Sequence, residues 1–188
     1  MKFSKFIVIA FAFSILNANA GSRVVAYGDS GVYGKGVARN ETYPAQLEAM
    51  LRQKGFDVSV KNDGVNGRTT EDAAANIGNV GKADVVIVQV GVNDAKHGVP
   101  AATIRKNVEA VIEKLKAAGS AVLVVSYPSA NVCDVASSHG APCVMWGGLP
   151  GAQYHVPGDP QNHFNAAGLR VMASRILPAV EKALGQKR

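Results

Sequence analysis

Four short polar stretches carry the residue types that acyl-transfer chemistry requires: Gly28-Asp29-Ser30, Asn62-Asp63-Gly64-Val65-Asn66-Gly67, Gly91-Val92-Asn93-Asp94 and Asp159-Pro160-Gln161-Asn162-His163. A serine hydroxyl attacks a carbonyl only when a base removes its proton, and that base needs a third group to hold its tautomer. Ser30, His163 and Asp159 can fill those three places. Attack leaves negative charge on the former carbonyl oxygen, which requires hydrogen-bond donors fixed in advance. The backbone N–H groups of Ser30 and Gly67 and the side-chain amide of Asn93 are the candidate donors, and glycine at 67 lets the main chain approach closely.

These residues are far apart along the chain, so the fold must gather them. Runs rich in Val and Ile predict strands at Arg23 to Tyr27, Val58 to Asn62, Asp84 to Val90, Ala121 to Tyr127 and, more weakly, Pro142 to Trp146. Helical patterns separate most of them. Pro44 sits in the first turn of one helix, with Leu47, Met50 and Leu51 inward and Gly55 as its stop. Thr69 and Asp72 have the spacing of a capping box. Ile104, Val108, Val111 and Leu115 mark a third helix that ends at Gly119, and Leu169, Met172, Ile176 and Val180 mark a last one from about Asn165 to Leu184, bent at Pro178.

Strands that are apolar throughout and alternate with helices predict an α/β fold: a doubly wound, five-stranded parallel sheet with helices on both faces. In such sheets ligands bind beyond the carboxyl ends of the strands. Ser30, Gly67 and Asn93 follow strands one, two and three, and His163 arrives from the loop after strand five, so one crevice can collect them. The one long irregular stretch, Ser129 to Gln161, is broken only by the fifth strand; loops of that length usually carry function.

Lys2 and Lys5, the apolar run Phe6 to Leu16 and Ala18-Asn19-Ala20 form a signal-peptide pattern over residues 1–20. The run is too short to span a bilayer, and position 21 is not a cysteine that would take a lipid. Residues 21–188 are therefore expected to be one exported domain, periplasmic or secreted, acting as a monomer without stable membrane insertion. The formal charge of +6 includes Lys2 and Lys5, the remaining basic residues are scattered, and aromatic residues make up 6% without interleaving among them. Nucleic acid is thereby excluded as a partner. Cys133 and Cys143 lie ten apart and are expected to pair in an oxidising compartment. Zinc is the weaker reading of those two cysteines with His139 between them, because the spacings match no common site.

The four blocks, in this order, resemble those of the SGNH hydrolases, the GDSL-like esterase and lipase family. The family's Ser, Gly, Asn and His fall on Ser30, Gly67, Asn93 and His163, with support from Tyr43-Pro44-Ala45-Gln46-Leu47 and from His163-Phe164-Asn165-Ala166-Ala167-Gly168. The compact layout is most similar to the bacterial periplasmic thioesterase and lysophospholipase branch and the arylesterases. That resemblance implies a flavodoxin-like sandwich and a serine esterase acting on small to medium acyl esters, thioesters or lysophospholipids through an acyl-enzyme on Ser30, with no cofactor and no metal. Two positions depart from the pattern. Gly31 stands where the family has leucine, which implies a more flexible loop. The family's acid precedes its histidine by three residues, where this chain has Pro160; Asp159 lies four before, so either a looser turn brings it to the imidazole or the site is a Ser-His dyad.

Other readings of the same residues remain. Gly28, Gly31, Gly34 and Gly36 are rich enough for a phosphate-cradling loop, but neither G-x-G-x-x-G nor G-x-x-x-x-G-K-[ST] is present. Val32 stands where the G-x-S-x-G elbow has its last glycine. Asn66-Gly67 is an ordinary turn dipeptide, and Asn93 can cap a helix with Asp94; the amide-donor role is favoured for Asn93, with capping left to Asp94. His97, His139 and His155 compete with His163, which its His-x-Asn-x-x-Gly context selects. Asp29 is expected to brace the nucleophile loop. Trp146, Tyr154 and Tyr33 are candidates for an acyl pocket. A carbohydrate O-acetylesterase is the rival enzyme reading, and a non-catalytic binding protein on the same scaffold is the rival outside the enzymes.

Overall fold

Residues 21–159 and 163–185 are described by a computed structural model; the expected leader, residues 1–20, lies outside the described residues. The strands are β1 (Ser22–Gly28), β2 (Val58–Gly64), β3 (Val85–Gln89), β4 (Ala121–Ser126) and β5 (Cys143–Met145). The helices are α1 (Ser30–Tyr33), α2 (Tyr43–Gln53), α3 (Thr70–Asn76), α4 (Val92–Lys96), α5 (Ala101–Ala117), α6 (Cys133–Ser138) and α7 (Ala166–Gly185). The five strands form one sheet in the order β2-β1-β3-β4-β5, and every neighbouring pair is parallel. The chain reverses direction across the sheet next to β1, which is what a doubly wound topology requires.

Alternation along the strands divides the core. Val24, Ala26, Val85, Ile87, Leu123 and Val125 face a layer that contains Leu47 and Leu51 of α2 and Leu169, Met172, Ile176 and Val180 of α7. Their neighbours Val25, Val86, Val88, Val122 and Val124 face the opposite layer, with Ala73 of α3, Ile104, Val108, Val111, Ile112 and Leu115 of α5, and Val135 and Ala136 of α6. Both faces of the central strands are therefore dry, which explains runs such as Val85-Val86-Ile87-Val88 without a polar residue. Each fully buried side chain of this size contributes about 1.5 to 3 kcal/mol.

Local signals act as expected at most element ends. Thr69 accepts a hydrogen bond from the Asp72 N–H at 3.1 Å, and the Asp72 carboxylate accepts from the Thr69 N–H at 3.1 Å, closing the capping box of α3. Pro44 is in the first turn of α2. α7 runs through Pro178. The stretch after Ser129 is more ordered than its composition suggested: it holds α6 and a 3₁₀ turn at Ala152–Tyr154 as well as β5. Cys133 and Cys143 form a disulfide, which joins the start of α6 to β5.

Candidate active site

Because β1 lies between β2 and β3, the turn after β1 is flanked on both sides by the turns after its neighbours. The register sets Gly28 opposite Gly64 of β2 and Gln89 of β3. Ser30 is the first residue of α1, and Asp29 caps that helix, its Oδ1 accepting from the Gly31 N–H at 2.9 Å. Asp29 thus braces the loop, as expected.

His163 comes from the other end of the chain and is held by the segment just before α7. The Val156 N–H donates to the His163 carbonyl at 3.0 Å and the Asn165 N–H to the Tyr154 carbonyl at 3.0 Å. Asn165 Oδ1 accepts from the Gly168 N–H at 3.1 Å, so the asparagine of the His-x-Asn-x-x-Gly pattern ties the loop to the first turn of α7. Set this way, His163 Nε2 lies 2.9 Å from Ser30 Oγ and Nδ1 lies 2.5 Å from Asp159 Oδ2. The four-residue spacing suffices: Asp159 reaches the ring directly. The imidazole side chain is 13% exposed and the Asp159 side chain 28%.

In this line the acid accepts from Nδ1–H, which leaves the Nε2 lone pair toward the serine hydroxyl. That is the tautomer a general base needs.

Gly67 has φ 81°, a left-handed conformation that favours glycine. The Asn93 amide donates to the Arg68 carbonyl at 2.9 Å, so the turn after β3 is tied to the residue next to Gly67. Arg68 extends the stitching: its guanidinium donates to the Gly28 carbonyl at 3.1 Å and the Asp63 carbonyl at 2.6 Å, and lies 4.0 Å from the Tyr27 ring centroid. One arginine therefore connects the ends of the three strands that carry Ser30, Gly67 and Asn93. In the sequence it was one scattered cation among many, marked only by its place after Asn66-Gly67. Asp94 does not cap α4, whose N-cap is Gly91. Its buried carboxylate accepts instead from the Thr70 N–H at 2.9 Å and the Thr70 hydroxyl at 2.6 Å, because the start of α3 lies against it and has orphan donors to satisfy.

Beneath Ser30 is a buried polar chain that periodicity did not signal. Gln89 Nε2 donates to the Tyr127 hydroxyl at 2.7 Å, and that hydroxyl donates to Asp29 Oδ1 at 2.7 Å. Burial pushes the Asp29 carboxyl up to about 6, against the lowering effect of the Tyr127 and Gly31 donors. Burial, then the charge on Asp29, pushes the Tyr127 phenol well above its ordinary range, so it remains a donor.

A cavity of about 30 Å³ at Ser30 is walled by residues that include Lys35, Val92, Lys96, Trp146 and His163. It adjoins a groove of about 530 Å³ that shares Val92, Lys96, Tyr127, Trp146 and Phe164 and adds Leu149 and His155. Trp146 lines both, as one of the three expected aromatics. Tyr33 instead lies under the Arg39 guanidinium, 5.2 Å from ring centroid to Cζ, and Tyr154 packs at the edge of the α2/α7 layer.

Comparison with known proteins settles the lineage. A sequence model of the GDSL-like Lipase/Acylhydrolase family matches residues 26–180. The chain belongs to that family. Within it, this GDSL-like acylhydrolase family member is 27% identical over 122 residues to an arylesterase of Vibrio mimicus, covering 63% of this chain and 60% of the relative. It is 26% identical over 109 residues to esterase TesA of Pseudomonas aeruginosa, covering 56% and 54% respectively. The match thus spans less than two thirds of either relative. The crystal structure of TesA superposes with a TM-score of 0.75 at 20% identity, covering 86% of this chain and 99% of that one, which shows the shared fold.

Proposed function

We propose that this family member is an exported serine esterase that hydrolyses small to medium acyl esters through an acyl-enzyme on Ser30. The observation that carries the reading is the continuous hydrogen-bonded line from Ser30 Oγ through the His163 ring to Asp159. In the forward step His163 Nε2 takes the Ser30 proton as Oγ bonds to the acyl carbon, and Asp159 stabilises the imidazolium. The oxyanion is held by the N–H groups of Ser30 and Gly67 and by the Asn93 amide. Collapse expels the alcohol or thiol, which takes the proton from His163. Water then repeats the sequence, releasing the acid and restoring the serine hydroxyl.

The groove beyond Trp146 and Phe164, with largely apolar walls, supports acyl chains longer than acetyl; thioesters and lysophospholipids that carry such chains belong to the same proposal. The disulfide supports export, because such bonds persist in oxidising compartments. Among the described residues no helix is long and apolar enough to cross a membrane.

The test is hydrolysis of p-nitrophenyl acetate, butyrate and octanoate by the purified protein and by Ser30→Ala, together with labelling by a fluorophosphonate. Turnover and labelling that both vanish in Ser30→Ala meet the expectation. Turnover unchanged in that variant overturns it, and a protein inert to ester and probe alike is a binding module. Release of acetate from acetylated glycan in preference to all longer acyl groups selects the carbohydrate O-acetylesterase reading.

A further inference from the structure

His139 is the histidine that the disulfide leaves without a cysteine partner, and the fold gives it two carboxylates instead. Glu109 and Glu113 are four apart on α5, so their side chains share a face. α6 ends at Ser138 with His139 as its C-cap, which delivers the ring to that face. His139 Nε2 lies 3.6 Å from Glu109 Oε1 and 3.7 Å from Glu113 Oε1, and the three donor atoms all lie within 4.8 Å of one another.

These separations are too long for N–H···O hydrogen bonds, which fall at about 2.7 to 3.2 Å. They are close to what one shared metal requires: donors about 2.0 to 2.2 Å from a tetrahedral zinc stand about 3.4 Å apart. The ring is also oriented as a ligand. Nδ1 lies 3.0 Å from the Val135 carbonyl and 3.1 Å from the Ser138 hydroxyl, so Nδ1 is engaged on the far side of the ring and Nε2 is the atom that faces the carboxylates. A backbone carbonyl on the far nitrogen is the usual outer partner of a metal-bound histidine.

The nearby cations hydrogen-bond elsewhere, although Arg105 also lies within Coulombic reach of Glu109. Lys116 donates to the His139 carbonyl at 2.5 Å, Lys114 to the Ala74 carbonyl at 2.8 Å, and Arg105 pairs with Asp134. Two carboxylates and an imidazole nitrogen therefore face one point. We propose that Glu109, Glu113 and His139 form a zinc-type divalent metal site that fastens the end of α6 to α5. One imidazole and two carboxylates suit zinc among the borderline metals, and the fourth position is left for water. Since the disulfide already holds the start of α6, the metal holds the other end of the same short helix. None of the three residues lines the cavity at Ser30, so the site stabilises and takes no part in hydrolysis.

The experiment uses the chelator-treated full chain, titrated with ZnCl2 by calorimetry and with CoCl2 by visible absorption, alongside thermal melting. The expected result is one equivalent bound per chain, a tetrahedral cobalt spectrum, and a Tm higher by about 5 °C at a hundredfold excess of zinc over Kd. His139→Gln and the double variant Glu109→Gln/Glu113→Gln each lose the binding and the Tm rise, while ester hydrolysis without metal matches the parent. His97→Gln serves as a control and keeps the binding and the Tm rise. No stoichiometric uptake by the parent, or uptake and a Tm rise that survive in the double variant, whose changes fall on exposed positions and leave the core intact, overturns the proposal. A protein that binds zinc in this way but hydrolyses no ester leaves the metal site standing and removes only the catalytic reading.

Discussion

Gly31 and Tyr127 compete for one space: a Cβ built on Gly31 would lie 2.7 Å from the Tyr127 hydroxyl and 2.6 Å from Gln89 Nε2. Both neighbours are buried, and both are committed to the hydrogen-bonded chain that ends on Asp29. Glycine after Ser30 therefore answers to room, because the Tyr127-Gln89 pair fills the place where a side chain would stand. Gly31→Ala should destabilise the fold by about 1 to 3 kcal/mol through overpacking and lower kcat about 10- to 100-fold by shifting Ser30. Gly31→Ala/Tyr127→Phe should recover part of both losses, since removing the hydroxyl frees part of the space. Thermal melts and steady-state kinetics on the single and double variants measure the coupling; strictly additive losses would show that the two residues do not compete.

The buried Asp29 carboxyl gives stability a pH dependence opposite to that of most carboxylates. Its pKa is raised from 3.8 to about 6 by burial, so the folded chain binds this proton more tightly than the unfolded chain does. The group therefore favours folding below its ordinary value, and that contribution disappears as pH rises through about 6. The interval corresponds to about 3 kcal/mol. Asp29→Asn keeps an Oδ1 acceptor for Gly31 and Tyr127 and removes the buried charge. It should raise Tm above pH 7 and flatten the change in Tm between pH 4 and 7. Equal pH profiles for the parent and the variant would rule out Asp29 as the titrating group.

The sheet and its main helices were legible because their signals are local. The apolar β-branched run Val85 to Val88 is the pattern of a strand covered on both faces, and Thr69 with Asp72 has the spacing of a helix start. The convergence of Ser30 and His163 was also legible, through the four ordered blocks and the rule that sites form beyond the strand ends. The chain from Gln89 through Tyr127 to Asp29 was not. Its members come from β3, the loop after β4 and the turn after β1, and each reads alone as an ordinary strand-end residue. Arg68 was hidden in the same way, as its hydrogen bonds go to the Gly28 and Asp63 carbonyl oxygens, which no side-chain pattern marks. The spacing of Asp159 raised doubt because a count of residues ignores the turn at Val156 to Asp159, where the Asp159 N–H donates to the Val156 carbonyl at 2.9 Å and aims the carboxylate back at the ring.

The Cys133–Cys143 bond closes a loop of about ten residues around α6, which in chain-entropy terms is worth about 2 to 3 kcal/mol. Cys133→Ser/Cys143→Ser should therefore lower Tm by roughly 5 to 10 °C. Because β5 leads directly into Trp146, the same change should raise KM for longer acyl esters more than for acetate. Melting curves in the presence and absence of reductant, followed by kinetics with p-nitrophenyl acetate and octanoate, check both parts; an unchanged Tm under complete reduction would count against a stabilising role.

Asn93 has one observed contact and one proposed role, and the two separate in measurement. Its amide donates to the Arg68 carbonyl at 2.9 Å, a bond worth about 1 kcal/mol to the fold, and the proposed oxyanion role gives the same amide a second acceptor that exists only during reaction. Asn93→Ala should lower Tm by a few degrees but kcat by about two to three orders of magnitude, with KM little changed, because the lost donor acts on the transition state. Arg68→Lys is the matched control. It leaves the main-chain carbonyl that Asn93 binds and disturbs the stitching of the strand ends, so it should cost similar stability with a much smaller loss of kcat. If the two variants lose activity in proportion to their losses in Tm, Asn93 acts only as a brace.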